Sequence, residues 1–120
     1  MKKLILALAG SVVLAGATGA MAADLSAGKA AYEKFACASC HGADAKTSVL
    51  PSYPVLAGQH QDFLEHALRS YKRGAAGAPA TANTRKNAVM GAMVAQLSTA
   101  DIQNISAWLA SLPSPLAVRK

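Results

Sequence analysis

The chain is poor in acidic residues, aromatic rings and cysteine, and it contains no run of alternating β-branched residues. That last absence removes the strands a sheet would need, and with them the βαβ setting in which a thioredoxin-like dithiol works. Cysteine occurs at only two positions, Cys37 and Cys40. A disulfide between them would close a loop too short to restrict the unfolded chain much. Six acidic residues stand against twelve basic ones in 120, a formal net charge of +6 with His neutral. No acidic residue falls between His66 and Ala100, whereas Arg69, Lys72, Arg73, Arg85 and Lys86 do. Such an excess of positive charge suits an acidic protein partner or an anionic membrane surface. It can equally be an ordinary solvated face, and no nucleic-acid-binding motif accompanies it.

The amino terminus has the pattern of an export signal. Lys2 and Lys3 precede an apolar run from Leu4 to Leu14, and small residues follow to Ala20-Met21-Ala22, which predicts a cleaved leader over residues 1–22. The competing reading is an uncleaved anchor, because no charge occurs between Leu4 and Ala23. Gly10, Gly16 and Gly19 make that stretch a poor span. Cleavage leaves residues 23–120 as one small domain with no membrane span, delivered to a bacterial periplasm and so away from nucleic acid. Without Lys2 and Lys3 it carries ten basic and six acidic residues, a formal +4.

One stretch of the chain names a chemistry. Cys37-Ala38-Ser39-Cys40-His41 is C-x-x-C-H, the attachment signature of c-type haem. On a helical turn, cysteines three apart share a face and can form thioethers to one porphyrin, and His41 then reaches the iron. Zinc is the main rival. Cys37, Cys40, His60 and His66 form a stretched Cys2His2 pattern, but its central gap is long and it leaves His41 idle. Haem attachment uses all three residues. It also accounts for the shortage of aromatic side chains, since the cofactor supplies the large flat apolar group of the core.

The mature chain reads as three helices and two loops. Asp24 or Ser26 caps a first helix through Gly28, Ala31, Tyr32 and Phe35, which the haem motif closes. A second runs from about Gln61 to Arg73, with Phe63, Leu64, Ala67, Leu68 and Tyr71 on one side and Gly74 as its left-handed stop. The third opens at Ser98 and Asp101, buries Ile102, Ile105, Trp108, Leu109 and Leu112, and ends before Pro113. Loops cover His41 to Gly58 and Gly74 to about Asn87.

An iron with His41 on one face needs its other site explained. Methionine is the candidate, as its soft thioether favours ferrous iron and closes the site to small ligands. Met90 and Met93 both stand in the right region, and their spacing alone does not choose between them.

At this point the chain resembles the class I cytochromes c, in particular the short cytochromes of the c4 and c553 kind. The likeness rests on Cys37-Ala38-Ser39-Cys40-His41-Gly42, Tyr53-Pro54-Val55-Leu56-Ala57-Gly58-Gln59, Met90-Gly91, and Leu97-Ser98 opening the last helix. It implies an all-α domain of three or more helices packed around one covalently bound haem c. The resemblance further implies Cys37 and Cys40 as attachment points and His41 and Met90 as iron ligands. Pro54 would offer its carbonyl to the other ring nitrogen of His41, Leu56 would pack on the haem, and Trp108 would cross the first helix near Gly28. Two departures stand out: only one haem motif is present, and the stretch from Gly28 to Cys37 is slightly longer than usual.

The expected function is a periplasmic one-electron carrier, not an enzyme, that docks on redox proteins with acidic surfaces. A haem subunit of a periplasmic dehydrogenase is the alternative. A five-coordinate haem that binds small gases or peroxide is a third, with no distal histidine or arginine pair to support it. His60 and His66 are expected at surface or cap positions, His66 one turn from Asp62.

Overall fold

Two capped helices, one near each end of the described chain, form the crossing on which the rest is built. In the computed structural model, which describes residues 22–114, α1 spans Leu25–Lys34 and α5 spans Thr99–Ser111. Asp24 starts α1: its carboxylate accepts from the amides of Ser26 and Ala27 at 2.8 and 3.0 Å. Ser98 and Asp101 start α5 with a reciprocal capping box. Asn104 Oδ1 accepts from the Asp24 amide at 3.0 Å, tying the start of α1 to the middle of α5.

The crossing works because Gly28 has no side chain. A Cβ there would lie 2.7 Å from both the Asn104 carbonyl carbon and Trp108 Cβ. With that space empty, Tyr32 and Trp108 pack with ring centroids 4.9 Å apart. The stripe expected on the last helix is the core of the fold: Ile102, Ile105, Trp108 and Leu109 are buried and Leu112 packs against them.

Three corrections apply to the helices read from sequence. The first does not run into the haem motif; it stops at Lys34, and a separate turn, α2 over Ala38–His41, carries Cys40 and His41. The break is made by Ala36, whose φ of 55° reverses the chain without a glycine to announce it. The second helix, α3, spans Gln61–Ala75 and passes through Gly74. The left-handed position after it is Gly77, with φ 78°, while Gly74 is small because the Arg85 carbonyl carbon would lie 3.0 Å from its Cβ. Finally, a helix the sequence did not reveal, α4, spans Ala88–Ala95 and carries both Met90 and Met93.

Among the described residues there is no strand, and the only other regular piece is one 3-10 turn at Ala80–Ala82. α5 packs on α1 and α3, and α4 lies on α3. The long loop between α2 and α3 is drawn in by Gly58, whose amide donates to the Leu109 carbonyl at 2.8 Å. No helix among the described residues is long and apolar enough to cross a membrane. The expected leader, residues 1–22, falls outside the described residues except for Ala22.

Candidate haem site

The C-x-x-C-H motif is presented by one helical turn pinned on both sides. Cys37 is the residue before α2, and its carbonyl accepts from the amides of Cys40 and His41 at 3.3 and 3.0 Å. Its own amide donates back to the Tyr32 carbonyl at 3.1 Å, so the turn begins directly off the end of α1. On the far side, the Tyr32 hydroxyl donates to the Gly42 carbonyl at 2.9 Å. Gly42 has φ 82°, and a Cβ there would meet the Thr47 carbonyl carbon at 2.9 Å, so only glycine fits. The loop is then locked by Asp44, whose carboxylate accepts from the Thr47 and Lys46 amides and the Thr47 hydroxyl, drawing its pKa down to about 2.

His41 is the buried centre of this turn, 6% exposed. Its Nδ1 lies 3.2 Å from the Pro54 carbonyl oxygen. A carbonyl only accepts, so Nδ1 carries the proton and Nε2 keeps its lone pair for a metal. Burial pushes the His41 pKa down, against a smaller upward pull from the Pro54 carbonyl, which favours the neutral imidazole a ligand must be. The contact that the resemblance implies for Pro54 is therefore present.

Cys37 and Cys40 are both free and half-buried. Burial raises the Cys37 pKa, keeping it a thiol. Cys37, Leu56 and Met90 all border one buried apolar cluster that includes Tyr32, Leu97 and Ile105. Met93, also half-buried, is not among the side chains packed on that cluster. Met90 sits in the first turn of α4, and its amide donates to Asn87 Oδ1 at 3.0 Å. A haem needs two thiols on one turn, a neutral imidazole with one free nitrogen, and an apolar wall. The residues present fit it.

The remaining polar residues take local roles. His60 is exposed at the start of α3 and makes no side-chain cap bond. His66 meets Asn83, with Nδ2 2.8 Å from its Nε2, in place of the local pair with Asp62 that spacing allowed. No group of three or more His, Cys, Asp or Glu side chains among the described residues is placed to hold a metal, so Cys37, Cys40, His60 and His66 do not form the stretched zinc site. The acid-free stretch is largely built into the fold: Arg69 pairs with Glu65 at 3.3 Å, and Lys72 Nζ donates to the Leu97 carbonyl. Arg73 donates to the carbonyls of Ala82 and Asn83, while Arg85 lies 5.5 Å from the Phe63 ring centroid and 5.7 Å from that of Tyr71. Sequence reasoning missed Asn87 and the Tyr32 hydroxyl. Asn87 was visible as an N-cap residue before an apolar segment, whereas Tyr32 read only as core.

A cytochrome c family model matches residues 25–113. The thiosulfate dehydrogenase electron acceptor of Stutzerimonas stutzeri is 32% identical over 119 residues, which cover 96% of this chain and 51% of that protein. Cytochrome c-554(547) of Halothiobacillus neapolitanus is 35% identical over 98 residues, 76% of this chain and 99% of that one. The fold is similar to that in the crystal structure of reduced recombinant cytochrome c4 from Pseudomonas stutzeri, with a TM-score of 0.66 and 35% identity, covering 77% of this chain and 47% of that chain. The chain thus spans about half the length of the first of these relatives and nearly all of the second.

Proposed function

The chain belongs to the cytochrome c family, and from that premise we propose that it is a periplasmic one-electron carrier whose iron is held between His41 and Met90. Its fold is that of a class I cytochrome c, and its cofactor is haem c, covalently bound. Cytochromes c carry electrons between redox proteins and are not enzymes. Cys37 and Cys40 are the proposed attachment points, within an exported domain of residues 23–120 that follows a leader at 1–22.

The observation that carries the reading is the His41 ring, buried beside two free thiols with its Nδ1 proton held by the Pro54 carbonyl at 3.2 Å. Haem supplies the ferric/ferrous couple when bound. The chain's residues then set how easily it turns over. Pro54 fixes the His41 ring and raises its donor strength. The Met90 thioether favours the ferrous state, and the apolar cluster behind it excludes water.

Partner choice follows from charge. Lys72 and Arg73 donate hydrogen bonds to carbonyls, which are neutral and leave the positive charge uncancelled, so that side of the molecule stays basic. Acidic docking surfaces fit it, with encounter rates that fall as salt rises.

The test is the visible spectrum of the exported protein, oxidised and reduced. c-Type haem bands and the far-red band of methionine sulfur on ferric iron are expected. Met90→Ala removes the sulfur band and Met93→Ala keeps it; the reverse pattern overturns the ligand assignment.

A second reading, a haem subunit docked on a dehydrogenase, is favoured by the relatives from Stutzerimonas stutzeri and Thiomonas intermedia named as thiosulfate dehydrogenase electron acceptors. Co-purification with a larger catalytic subunit, stable to salt, would select it over a freely diffusing carrier.

A further inference from the structure

We propose that Asn87 and Lys72 are positioning residues that clamp the two ends of α4 and so hold Met90 on the iron, an inference that rests on the ligand reading above. α4 has little reason of its own to be helical. Its eight residues are fewer than an isolated helix needs, and with only Ala, Gly, Val and Met in it there is no polar face to set against an apolar one and orient it. Its ends supply what its middle lacks.

At the N-terminal end, the amide that Asn87 Oδ1 caps is that of Met90 itself, at 3.0 Å. The cap therefore acts directly on the backbone of the proposed ligand. At the other end, Lys72 reaches across from α3 and its Nζ donates to the Leu97 carbonyl, one residue past the Gln96 cap. Between them Gly91 seats α4 on α3: a Cβ at 91 would lie 3.3 Å from Ala75 Cβ, closer than ordinary packing. The Met90 backbone is thus set from three sides by groups outside the ligand set. A soft thioether binds ferric iron weakly, so the ligated state is in equilibrium with a detached one. Freedom at either end of α4 favours detachment.

The test uses the ferric holoprotein with imidazole as the probe, which occupies the iron only when sulfur leaves it. Loss of an N-cap shifts a local helix equilibrium by about fivefold, so Asn87→Ala is expected to bind imidazole about fivefold more tightly than the unmodified protein. Asn87→Asp keeps an acceptor oxygen at the cap and is expected to restore the original affinity. Lys72→Met, which keeps the apolar stem, shifts binding in the same direction as Asn87→Ala, while Val89→Ala, at an exposed position of the same helix, leaves it unchanged. Unmodified affinity in Asn87→Ala, or an Asp variant as impaired as the Ala variant, overturns the clamp. Met90→Ala measured alongside separates the two claims. If it loses the far-red sulfur band while Asn87→Ala is unaffected, the clamp alone falls; if the band survives Met90→Ala, the ligand reading falls and the clamp falls with it.

Discussion

Gly28→Ala tests whether the α1–α5 crossing is as tight as its geometry says. The added Cβ would stand 2.7 Å from Trp108 Cβ and from the Asn104 carbonyl carbon, when carbon atoms prefer about 3.5–4.0 Å. The helices must part by about an ångström, because one obstacle is backbone and the other is a Cβ, and neither can rotate away. Overpacking of this kind costs about 1–3 kcal/mol, and the fixed obstacles put this site at the upper end. Alanine's better helix propensity returns about 1 kcal/mol. The net loss of about 2 kcal/mol lowers the melting temperature of a domain this size by about 8–16 °C. The assay is thermal unfolding of the holoprotein, with Ala30→Gly, an exposed change on the same helix costing about 1 kcal/mol, as the reference. Propensity alone gives the two substitutions opposite signs. If Gly28→Ala is as stable as the unmodified protein, the crossing is looser than argued and the reasoning fails.

Other substitutions probe separate parts of the fold. Ser106 Oγ is buried with no hydrogen-bond partner among the described residues, so Ser106→Ala should raise stability by about 1 kcal/mol in a denaturant titration; a loss would mean that the hydroxyl has a partner. Ala36→Gly relieves a left-handed alanine and should also stabilise by about 1 kcal/mol, with no change in the sulfur–iron band. Asp44 has a folded pKa near 2, below its ordinary value of 3.8, so its contribution is complete above that ordinary value and is lost as pH falls toward 2. Asp44→Asn should therefore flatten the acid unfolding curve in that window, and an unchanged curve would count against the loop lock.

What was legible in the sequence is what local rules encode. α5 could be read almost whole, since its capping box and its stripe from Ile102 to Leu109 are both patterns along one strand of text. α1 was legible at its Asp24 cap but not at its end, because the left-handed residue that stops it is Ala36 and carries no glycine signal. Gly74 misled for the opposite reason. It looks like a stop signal, yet it is small to admit the Arg85 backbone, a contact with a residue that local pattern cannot supply.

The site divides the same way. Cys37, Cys40 and His41 announce themselves because one turn of helix brings them together, whereas Pro54 meets His41 through a loop and Met90 arrives on a helix with no amphipathic period. α4 is helical because Asn87 caps it, Ala75 seats it and Lys72 holds its far end, and these come from different parts of the chain. A soft ligand placed on such a segment has its strength set by tertiary contacts and not by its own sequence. With Met90 as the proposed sixth ligand, variation at Asn87 or Lys72 would tune that bond while the haem motif and both methionines stay the same.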